Sequence, residues 1–453
     1  MSTVEFVNES TSAPTRVLIV GGGYVGMYTA LGLQRGLKRE ISCGDVEVTV
    51  ADPQANMTYQ PFLPEAAAGN VEPRHVVVPL RRVLRTCRVI TGAVTGIDHA
   101  RHSATITPPG AEPYQQTYDI LVMAPGSVSR VLPIPGLAEQ GIGFKTIGEA
   151  IALRNHVLSR LDFASSIART TEYDDIRSRA LTFVFVGGGY AGIEALAELE
   201  NMARYATRYT GSITPHDMRW VLVEAADRIM PEVSPRMSQY TLDQLRFRGI
   251  DVRLATRLES VTDSHVRLDD GSSFDADTVV WTAGVKPNPM LDGTDLPRDS
   301  KGRLPCSATM EVLGTTGVFA AGDCAAIPDL SKPPGALCGP SAQHAVRQAK
   351  LLARNVIAHL RGKEPAEYLH HYAGSVASLG LYHGVAEIYG VRLRGFPAWW
   401  MHRTYHVSKM PTLNRKLRIV SDWTAALLFR REVVSLGQLQ HPRTEFEQAA
   451  TRA

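Results

Sequence analysis

The stretches RVLIVGGGYVG (residues 16–26) and TFVFVGGGYAG (residues 182–192) share one pattern, an apolar run followed by G-x-G-x-x-G. In this motif the first glycine makes a tight turn from strand to helix, and the second lets the backbone approach a pyrophosphate. The third glycine lets the helix pack closely on the sheet, and the phosphates lie at the helix N-terminus. Two such motifs predict that the chain holds two dinucleotides at once, which implies electron transfer between them.

Each motif is followed by an alternating strand that ends in a carboxylate, at Asp52 in the first half and at Glu224 in the second. A carboxylate in this position accepts hydrogen bonds from ribose hydroxyls and repels the 2′-phosphate of NADP. A surface acid at the end of a strand is the alternative interpretation. If the carboxylate binds the ribose, we expect NADH to be preferred over NADPH.

Further strands close each half, at residues 118–124 and 277–283, and Asp270-Gly271 is a hairpin signal ahead of the second of them. The duplication predicts an α/β fold with two Rossmann-like dinucleotide-binding domains. With 453 residues the chain is long enough for two or three domains.

The composition, 44% hydrophobic and 21% charged, is that of an ordinary globular protein. The five cysteines form no C-x-x-C pair, and their odd number favours a reduced, cytosolic setting. The first fifteen residues have no apolar segment, and no run reaches the ~20 apolar residues of a spanning helix. We expect no signal peptide, no membrane-crossing segment and no metal.

The charge of the chain is concentrated near its end, where residues 392–431 contain nine Lys or Arg and one acid, Asp422. If these residues are helical, two apolar faces result, one from Phe396, Trp399, Trp400, Val407 and Met410, and one from Val420, Trp423, Leu427 and Leu428. Basic residues beside Trp and Leu are typical of an interfacial helix on an anionic membrane. A helix face buried in the core and a dimer interface are the alternatives, and nucleic-acid binding has no supporting motif.

Two segments after residue 314 carry residues suited to redox chemistry. Residues 315–324 form a strand ending in Gly322-Asp323, a placement that suits the ribityl and pyrophosphate portion of a flavin. A helix then starts near Ser341, and its dipole would stabilise an anionic reduced flavin. Gln343, in the first turn, is a candidate donor to a quinone oxygen, or it caps the helix or bonds the flavin.

Glu194 lies one turn into the helix that follows the second motif. An acid in this position could orient a nicotinamide or relay a proton. It could equally be a first-turn carboxylate that the helix dipole favours.

At these residues the chain resembles the type II NADH dehydrogenases, single-subunit NADH:quinone oxidoreductases that do not pump protons. The resemblance runs from about residue 15 to residue 440. It includes both motifs, Tyr59-Gln60-Pro61, the Ala-Pro-Gly at 124–126, Glu194, Glu224, Gly322-Asp323, the Ala342-Gln343 helix, residues 374–380 and residues 395–400.

The resemblance implies two cofactors, FAD and NADH. It places FAD at Gly21, Gly23, Gly26, Asp52 and Asp323, and NADH at Gly187, Gly189, Gly192 and Glu224. The other residues expected to contact a cofactor are Gly22, Tyr24, Val25, Gln60, Ala124, Gly126, Gly284, Gly322, Ala342 and Gln343. Glu194 and Gln343 are the expected catalytic residues, flanking the flavin on its nicotinamide side and its quinone side.

The resemblance also implies a reaction and a location. A hydride passes from NADH to FAD, and two electrons pass on to a membrane quinone, menaquinone or ubiquinone. The C-terminal segment would be a monotopic anchor at the cytoplasmic face of the cell membrane, with a homodimer as a further expectation.

The chain departs from the family at Arg347, where the usual Ala-Gln-x-Ala-x-Gln-Gln reads AQHAVRQ. A flavoprotein of this fold with a different acceptor therefore stays open, as does a redox-responsive NADH-binding interaction protein. Sulfide:quinone chemistry is not expected, because no cysteine lies between Cys87 and Cys306, and dithiol reduction is not expected without C-x4-C.

The expected domain organisation has four segments. Residues 14–150 and 305–390 form an FAD-binding domain, and residues 151–304 form an NADH-binding domain inserted between them. Residues 391–453 form a module for membrane attachment or dimerisation.

Overall fold

The chain is represented by a computed structural model that describes residues 13–370, 374–429 and 431–435. These residues form two compact units. The first unit contains residues 13–57, 79–128 and 286–370, and the second contains residues 58–78, 129–285, 374–429 and 431–435. Each G-x-G-x-x-G motif therefore lies in a unit of its own.

Both units are built from strands and helices. The strands are β1 (Thr15–Val20), β2 (Val46–Asp52), β3 (Asn56–Thr58), β4 (Val77–Pro79), β5 (Arg88–Thr91), β6 (Ala93–Asp98), β7 (Ser103–Thr107), β8 (Tyr114–Thr117), β9 (Ile120–Met123), β10 (Ser127–Ser129), β11 (Gly141–Gly143), β12 (Thr182–Val186), β13 (Arg219–Val223), β14 (Asp251–Arg253), β15 (Leu258–Thr262), β16 (His265–Leu268), β17 (Ser273–Asp275), β18 (Thr278–Trp281), β19 (Val285–Pro287), β20 (Leu304–Pro305), β21 (Val318–Ala320), β22 (Ala325–Ala326), β23 (Gly374–Ser378), β24 (Gly384–Ile388) and β25 (Val391–Arg394). The helices are α1 (Tyr24–Gly36), α2 (Lys38–Cys43), α3 (Leu63–Ala67), α4 (Leu80–Val83), α5 (Leu137–Gln140), α6 (Ile147–Ser166), α7 (Asp174–Ala180), α8 (Tyr190–Thr210), α9 (Pro235–Phe247), α10 (Ala342–Leu360), α11 (Phe396–Lys409) and α12 (Leu413–Leu428).

Five parallel strands form the main sheet of the first unit, in the order β21-β9-β1-β2-β5. Val17 on the central strand pairs with Val48 on one side and Ile120 on the other. Parallel sheets are covered on both faces, which is why these strands are nearly continuous apolar runs. Helix α1 packs on α10, where a Cβ on Gly32 would approach the Cβ of Ala353 to 2.4 Å. Small residues therefore bring α10 close to the helix of the first motif.

The main sheet of the second unit repeats this plan with the parallel order β11-β18-β12-β13-β14. Val184 on its central strand pairs with Val221 and with Val279. Helix α8 follows this strand and packs against α6 and α3. The two sheets confirm the predicted α/β fold with two Rossmann-like domains.

Antiparallel sheets complete both units. Strands β6-β7-β8 belong to the first unit, and strands β15-β16-β17 and β23-β24-β25 belong to the second. The predicted hairpin at Asp270-Gly271 joins β16 to β17, and Gly271 has a φ of +82° there. Helix α11 follows β25 and packs on β23 and β24.

The two compact units do not divide the chain at the predicted domain boundaries. The divisions fall at 128/129 and 285/286 rather than at 150/151 and 304/305. Residues 58–78 and strands β23 and β24 join the second unit because Leu63, Ala67, Ala377 and Val385 belong to its hydrophobic core, and α11 packs on these two strands. Compact units need not coincide with ligand-binding domains, so the assignment of FAD and NADH to segments stays a prediction. Residues 436–453 of the expected C-terminal module lie outside the described residues.

Candidate active site

Most of the predicted site residues follow the carboxyl ends of parallel strands, which places them at one edge of each sheet; Gln60 lies instead in a short helix of the second unit, and Ala342 and Gln343 begin α10. In the first unit, residues 21–26 follow β1, Asp52 ends β2, Ala124 and Gly126 follow β9, and Gly322 and Asp323 follow β21. In the second unit, residues 187–192 follow β12, Glu224 follows β13 and Gly284 follows β18. Ligands of doubly wound folds bind outside this edge.

The first motif has the geometry that its glycines predict. Gly21 has a φ of +99°, and a Cβ there would lie 2.3 Å from the carbonyl oxygen of Ala124. A Cβ on Gly26 would lie 1.8 Å from the carbonyl oxygen of Gly21. A Cβ on Gly23 would meet no atom within 4 Å, so space is open ahead of α1. The turn and the helix packing require glycine, and the middle position leaves room for a ligand.

Asp52 is held by the backbone at the end of β2. Its Oδ2 accepts a hydrogen bond from the Gly22 amide at 2.6 Å, and its Oδ1 accepts one from the Gln54 amide at 2.6 Å. Burial raises the pKa of Asp52 above the usual value, although the two amide donors oppose this shift. The carboxylate is thus fixed in orientation beside the first motif.

The second motif repeats this arrangement. Gly187 has a φ of +116°, and a Cβ on Gly192 would lie 2.1 Å from the carbonyl oxygen of Gly187. Glu224 accepts hydrogen bonds from the amides of Gly188 at 2.5 Å and Ala226 at 2.7 Å. The repeat seen in sequence is therefore also a repeat of site geometry.

Two side chains that sequence reasoning left without a role hold the Gly322-Asp323 turn. The amide of Gly322, whose φ is +77°, donates to Oε1 of the buried Gln348 at 2.8 Å. The hydroxyl of Ser127 donates to Oδ2 of Asp323 at 2.5 Å. Gln348 is two turns into α10, and only the fold brings it back to this turn.

Helix α10 begins at Ala342, as predicted, because the Ser341 hydroxyl accepts a hydrogen bond from the amide of His344 at 3.1 Å. Gln343 is half-buried in the first turn. Arg347, at the departure from the family pattern, contacts the ring of His370. The guanidinium therefore has an imidazole neighbour that the sequence did not indicate.

Glu194 is buried in the second unit and is more than a first-turn carboxylate. Its Oε1 accepts a hydrogen bond from the Ser378 amide at 2.8 Å and lies 3.1 Å from Nε2 of His402 on α11. Burial alone would lower the pKa of His402, but the hydrogen bond and the negative charge of Glu194, together with nearby carboxylates, raise it above the usual value. Sequence reasoning missed His402, which is far from Glu194 along the chain.

Further buried charges surround this pair. Arg403 lies 3.1 Å from Oε2 of Glu65, which also accepts a hydrogen bond from the Trp423 indole at 2.8 Å. Glu198 accepts hydrogen bonds from the Asn70 side chain at 2.9 Å and from the Ser378 hydroxyl at 2.7 Å. Burial raises the pKa of Glu65, and Arg403 opposes the shift. We call Glu65, Glu194, Glu198, His402 and Arg403 the buried charge cluster.

A model of the pyridine nucleotide-disulphide oxidoreductase family matches residues 15–349. The chain belongs to this family. The type II NADH:quinone oxidoreductase Ndh of Mycobacterium tuberculosis is 28% identical over 98% of this chain and 96% of its own. A probable NADH dehydrogenase of Dictyostelium discoideum is 27% identical over 93% of this chain and 91% of its own. NDH2 from Plasmodium falciparum, solved in complex with NADH, has the same fold, with a TM-score of 0.83 at 15% identity over 93% of this chain and 99% of that one. The names of these relatives confirm the resemblance to type II NADH dehydrogenases.

The match to the family ends before the C-terminal helices, and here the predicted apolar faces are wrong in detail. Trp399 and Met410 are buried, whereas Phe396 and Trp400 are exposed on the same helix segment. Trp423 turns inward to Glu65. Periodicity could not separate these residues, because both a core face and a solvent face of α11 carry aromatic side chains.

Helix α12 presents an apolar face that the described chain leaves uncovered. The large exposed apolar residues of this helix are Leu413, Leu417, Val420, Leu427 and Leu428, followed by Phe429. Ile419 is its one fully buried residue. None of the helices in the described ranges has the length and hydropathy needed to cross a bilayer.

Proposed function

We propose that the chain is an NADH:quinone oxidoreductase that uses FAD and does not pump protons. The observation that carries this proposal is the repeated site: two parallel sheets, each with the three-glycine turn and a strand-end acid hydrogen-bonded to it. Relatives named as NADH dehydrogenase and NADH:quinone oxidoreductase match nearly the whole chain.

The first unit suits FAD. The open space at Gly23 admits a pyrophosphate, and the amides at the start of α1 would donate to it. The carboxylate of Asp52 has further lone pairs that can accept hydrogen bonds from ribose hydroxyls. The carboxylate of Asp323, oriented by Ser127, can accept hydrogen bonds from ribityl hydroxyls. FAD, when bound, accepts a hydride from NADH and passes electrons on two at a time or singly.

The second unit suits NADH by the same features, with Gly189 open to a pyrophosphate and Glu224 placed for the ribose. The carboxylate of Glu224 would repel a 2′-phosphate, so NADH is preferred over NADPH. The Arg228 guanidinium, the nearest base along the chain, donates to the carbonyl of Pro231.

Three side chains are assigned roles in the reaction. Gln343, presented by the first turn of α10, donates to the oxygen of the quinone as negative charge develops there. Glu194 and His402 form a buried pair, 3.1 Å between Oε1 and Nε2, in which the carboxylate favours a proton held at Nε2 of the imidazole.

We also propose that the exposed apolar face of α12 rests on a membrane surface. Lys416 and Arg418 on the same helix supply positive charge, which favours anionic lipid. This attachment is peripheral. A second copy of the chain covering the same face is the competing outcome.

An anaerobic titration tests the function. NADH added to the purified flavoprotein should bleach the flavin stoichiometrically, and menaquinone or ubiquinone analogues should restore its colour within the turnover time. NADPH is the matched comparison and should have a far lower kcat/KM. Reduction by NADH without reoxidation by any quinone would contradict the quinone acceptor and favour a different acceptor or a redox-responsive binding protein.

A further inference from the structure

A loop in the first unit brings two ligand-type side chains face to face outside the proposed electron path. Asp329 and Cys338 flank the loop of residues 330–337. The amide of Asp329 donates to the carbonyl of Ala336 at 2.9 Å, and the amide of Cys338 donates to the carbonyl of Ile327 at 2.9 Å. These backbone hydrogen bonds close the base of the loop, so the carboxylate and the thiol are held near each other by the fold.

His344, in the first turn of α10, completes a group of three. One ligand atom from each of Asp329, Cys338 and His344 lies within 4.8 Å of the others. Asp329 is 4% exposed, Cys338 is 6% exposed and His344 is half-buried. Nδ1 of His344 lies 2.9 Å from the hydroxyl of Tyr368, which leaves Nε2 for a ligand bond. An imidazole oriented through its second nitrogen is the usual arrangement at metal sites.

We propose that Asp329, Cys338 and His344 bind a zinc ion. Thiolate, imidazole and carboxylate are the donors that zinc takes in proteins, and water would occupy the fourth position. A zinc ion with one thiolate, one carboxylate and a neutral imidazole has no net charge, which suits buried surroundings. Zinc–ligand distances of about 2.0–2.3 Å put tetrahedral ligands about 3.5 Å apart, a spacing within the 4.8 Å limit that the three ligand atoms already meet.

A cation already lies beside one of the ligands. The ammonium of Lys332 is 3.1 Å from Oδ2 of Asp329, and the Lys332 side chain is 59% exposed. Zinc binding would displace this flexible ammonium into solvent, so Lys332 competes with the ion. The bound ion would fasten the loop to the first turn of α10, next to Gln343, as a structural tie.

Zinc content of the full-length holoprotein tests the site. Purified protein is incubated with zinc sulfate, dialysed against metal-free buffer and analysed by elemental mass spectrometry. About one zinc ion per chain is expected. Cys338→Ser and His344→Ala should each lower zinc affinity by at least about a hundredfold, more than the 10–100-fold of an outer partner. Cys43→Ser, which changes an exposed cysteine on α2, is the matched control and should retain zinc.

Two milder variants decide the matter if the ligand variants do not fold. Tyr368→Phe removes the partner of the imidazole and should lower zinc affinity about tenfold. Lys332→Ala removes the competing ammonium and should raise it. Failure of the wild-type protein to retain zinc would overturn the proposal, and so would an equal zinc affinity in all variants. An unchanged zinc affinity in Lys332→Ala would show that the Asp329 carboxylate only pairs with Lys332 and does not bind zinc. None of these outcomes depends on quinone activity.

Discussion

The pair of Glu194 and His402 leads to a prediction about pH and stability. A histidine whose pKa is raised on folding adds stability below the unfolded-state pKa of about 6.5, and this is lost as pH rises through the higher folded pKa. Glu194→Gln removes the negative charge that raises the pKa of His402. The variant should be about 1–3 kcal/mol less stable near pH 6, with a difference that shrinks as pH rises. Urea unfolding over a pH series measures this.

Glu172→Gln is the control for that series, because Glu172 is exposed and lies outside the buried charge cluster. The free energy of unfolding of this variant should depend on pH as that of the wild type does. NMR titration of the His402 ring adds a direct readout: an unaltered His402 pKa in Glu194→Gln would show that the pair is not formed in solution.

Gln343 leads to a prediction about the two half-reactions. Loss of one hydrogen bond of about 1.4 kcal/mol corresponds to a tenfold change in rate. Gln343→Ala should therefore slow reoxidation of the flavin by quinone about tenfold while its reduction by NADH is little changed, as measured by stopped-flow absorbance. Gln239→Ala, at an exposed position on α9, should change neither step. Equal rates of flavin reoxidation by quinone in Gln343→Ala and wild type would show that this helix does not form the quinone site.

The two strand-turn-helix elements can be tested as a matched pair. Gly26→Ala and Gly192→Ala each place a methyl group about 2 Å from the carbonyl of the first glycine of the same motif. Gly26→Ala should lose bound FAD. Gly192→Ala should keep FAD but weaken NADH binding, measured by flavin content and by NADH titration. Gly148→Ala in α6 is the control, since its nearest neighbour is 3.9 Å away. The reverse pattern, loss of FAD in Gly192→Ala and weaker NADH binding in Gly26→Ala, would show that the two cofactors bind at the opposite motifs.

Helix α12 leads to a prediction about the membrane. Leu417 and Leu427 are 61% and 70% exposed, so Leu417→Glu and Leu427→Glu should fold normally. Both should reduce co-flotation with vesicles of anionic phospholipid, and high salt should weaken the wild-type binding. Leu313→Glu, which changes an exposed leucine elsewhere, should bind as wild type does. If the Leu→Glu variants float with vesicles as the wild type does, but light scattering shows that a wild-type dimer has dissociated in them, the apolar face of α12 contacts a second copy of the chain.

At the scale of the whole molecule, the C-terminal helices carry buried residues, His402 and Arg403 among them, as well as exposed ones. Deleting residues after 395 removes His402, Arg403 and Trp423 and leaves Glu65 and Glu194 buried without them. Such a deletion should lower the thermal unfolding temperature and the soluble yield, because unpaired buried charges cost several kcal/mol. A chain ending after residue 435 keeps every described residue and is the control. An unchanged unfolding temperature in the longer deletion would show that the helices are a separate module, as the sequence suggested.

Much of the dinucleotide machinery was readable from the sequence because its geometry is local. The φ of Gly21 and the contact of Gly26 with it depend on six consecutive residues, and the Ser341 cap depends on four. The α/β class followed from the duplicated pattern. The compact units did not follow, since α3, which contains Leu63, packs against α6 and α8, far along the chain.

The sequence by itself indicated the two nucleotide-binding sheets, their strand-end acids Asp52 and Glu224, and the start of α10, because each has a signature in a short stretch of sequence: the glycine motif after an apolar strand, the acid that ends the next strand, and the helix cap. Only the tertiary structure decided that Glu194 pairs with His402, that Glu65 pairs with Arg403, and that Asp329, Cys338 and His344 converge. It also decided which aromatic residues of α11 are buried. These contacts join residues distant along the chain, and their partners are selected by packing, which no local periodicity encodes.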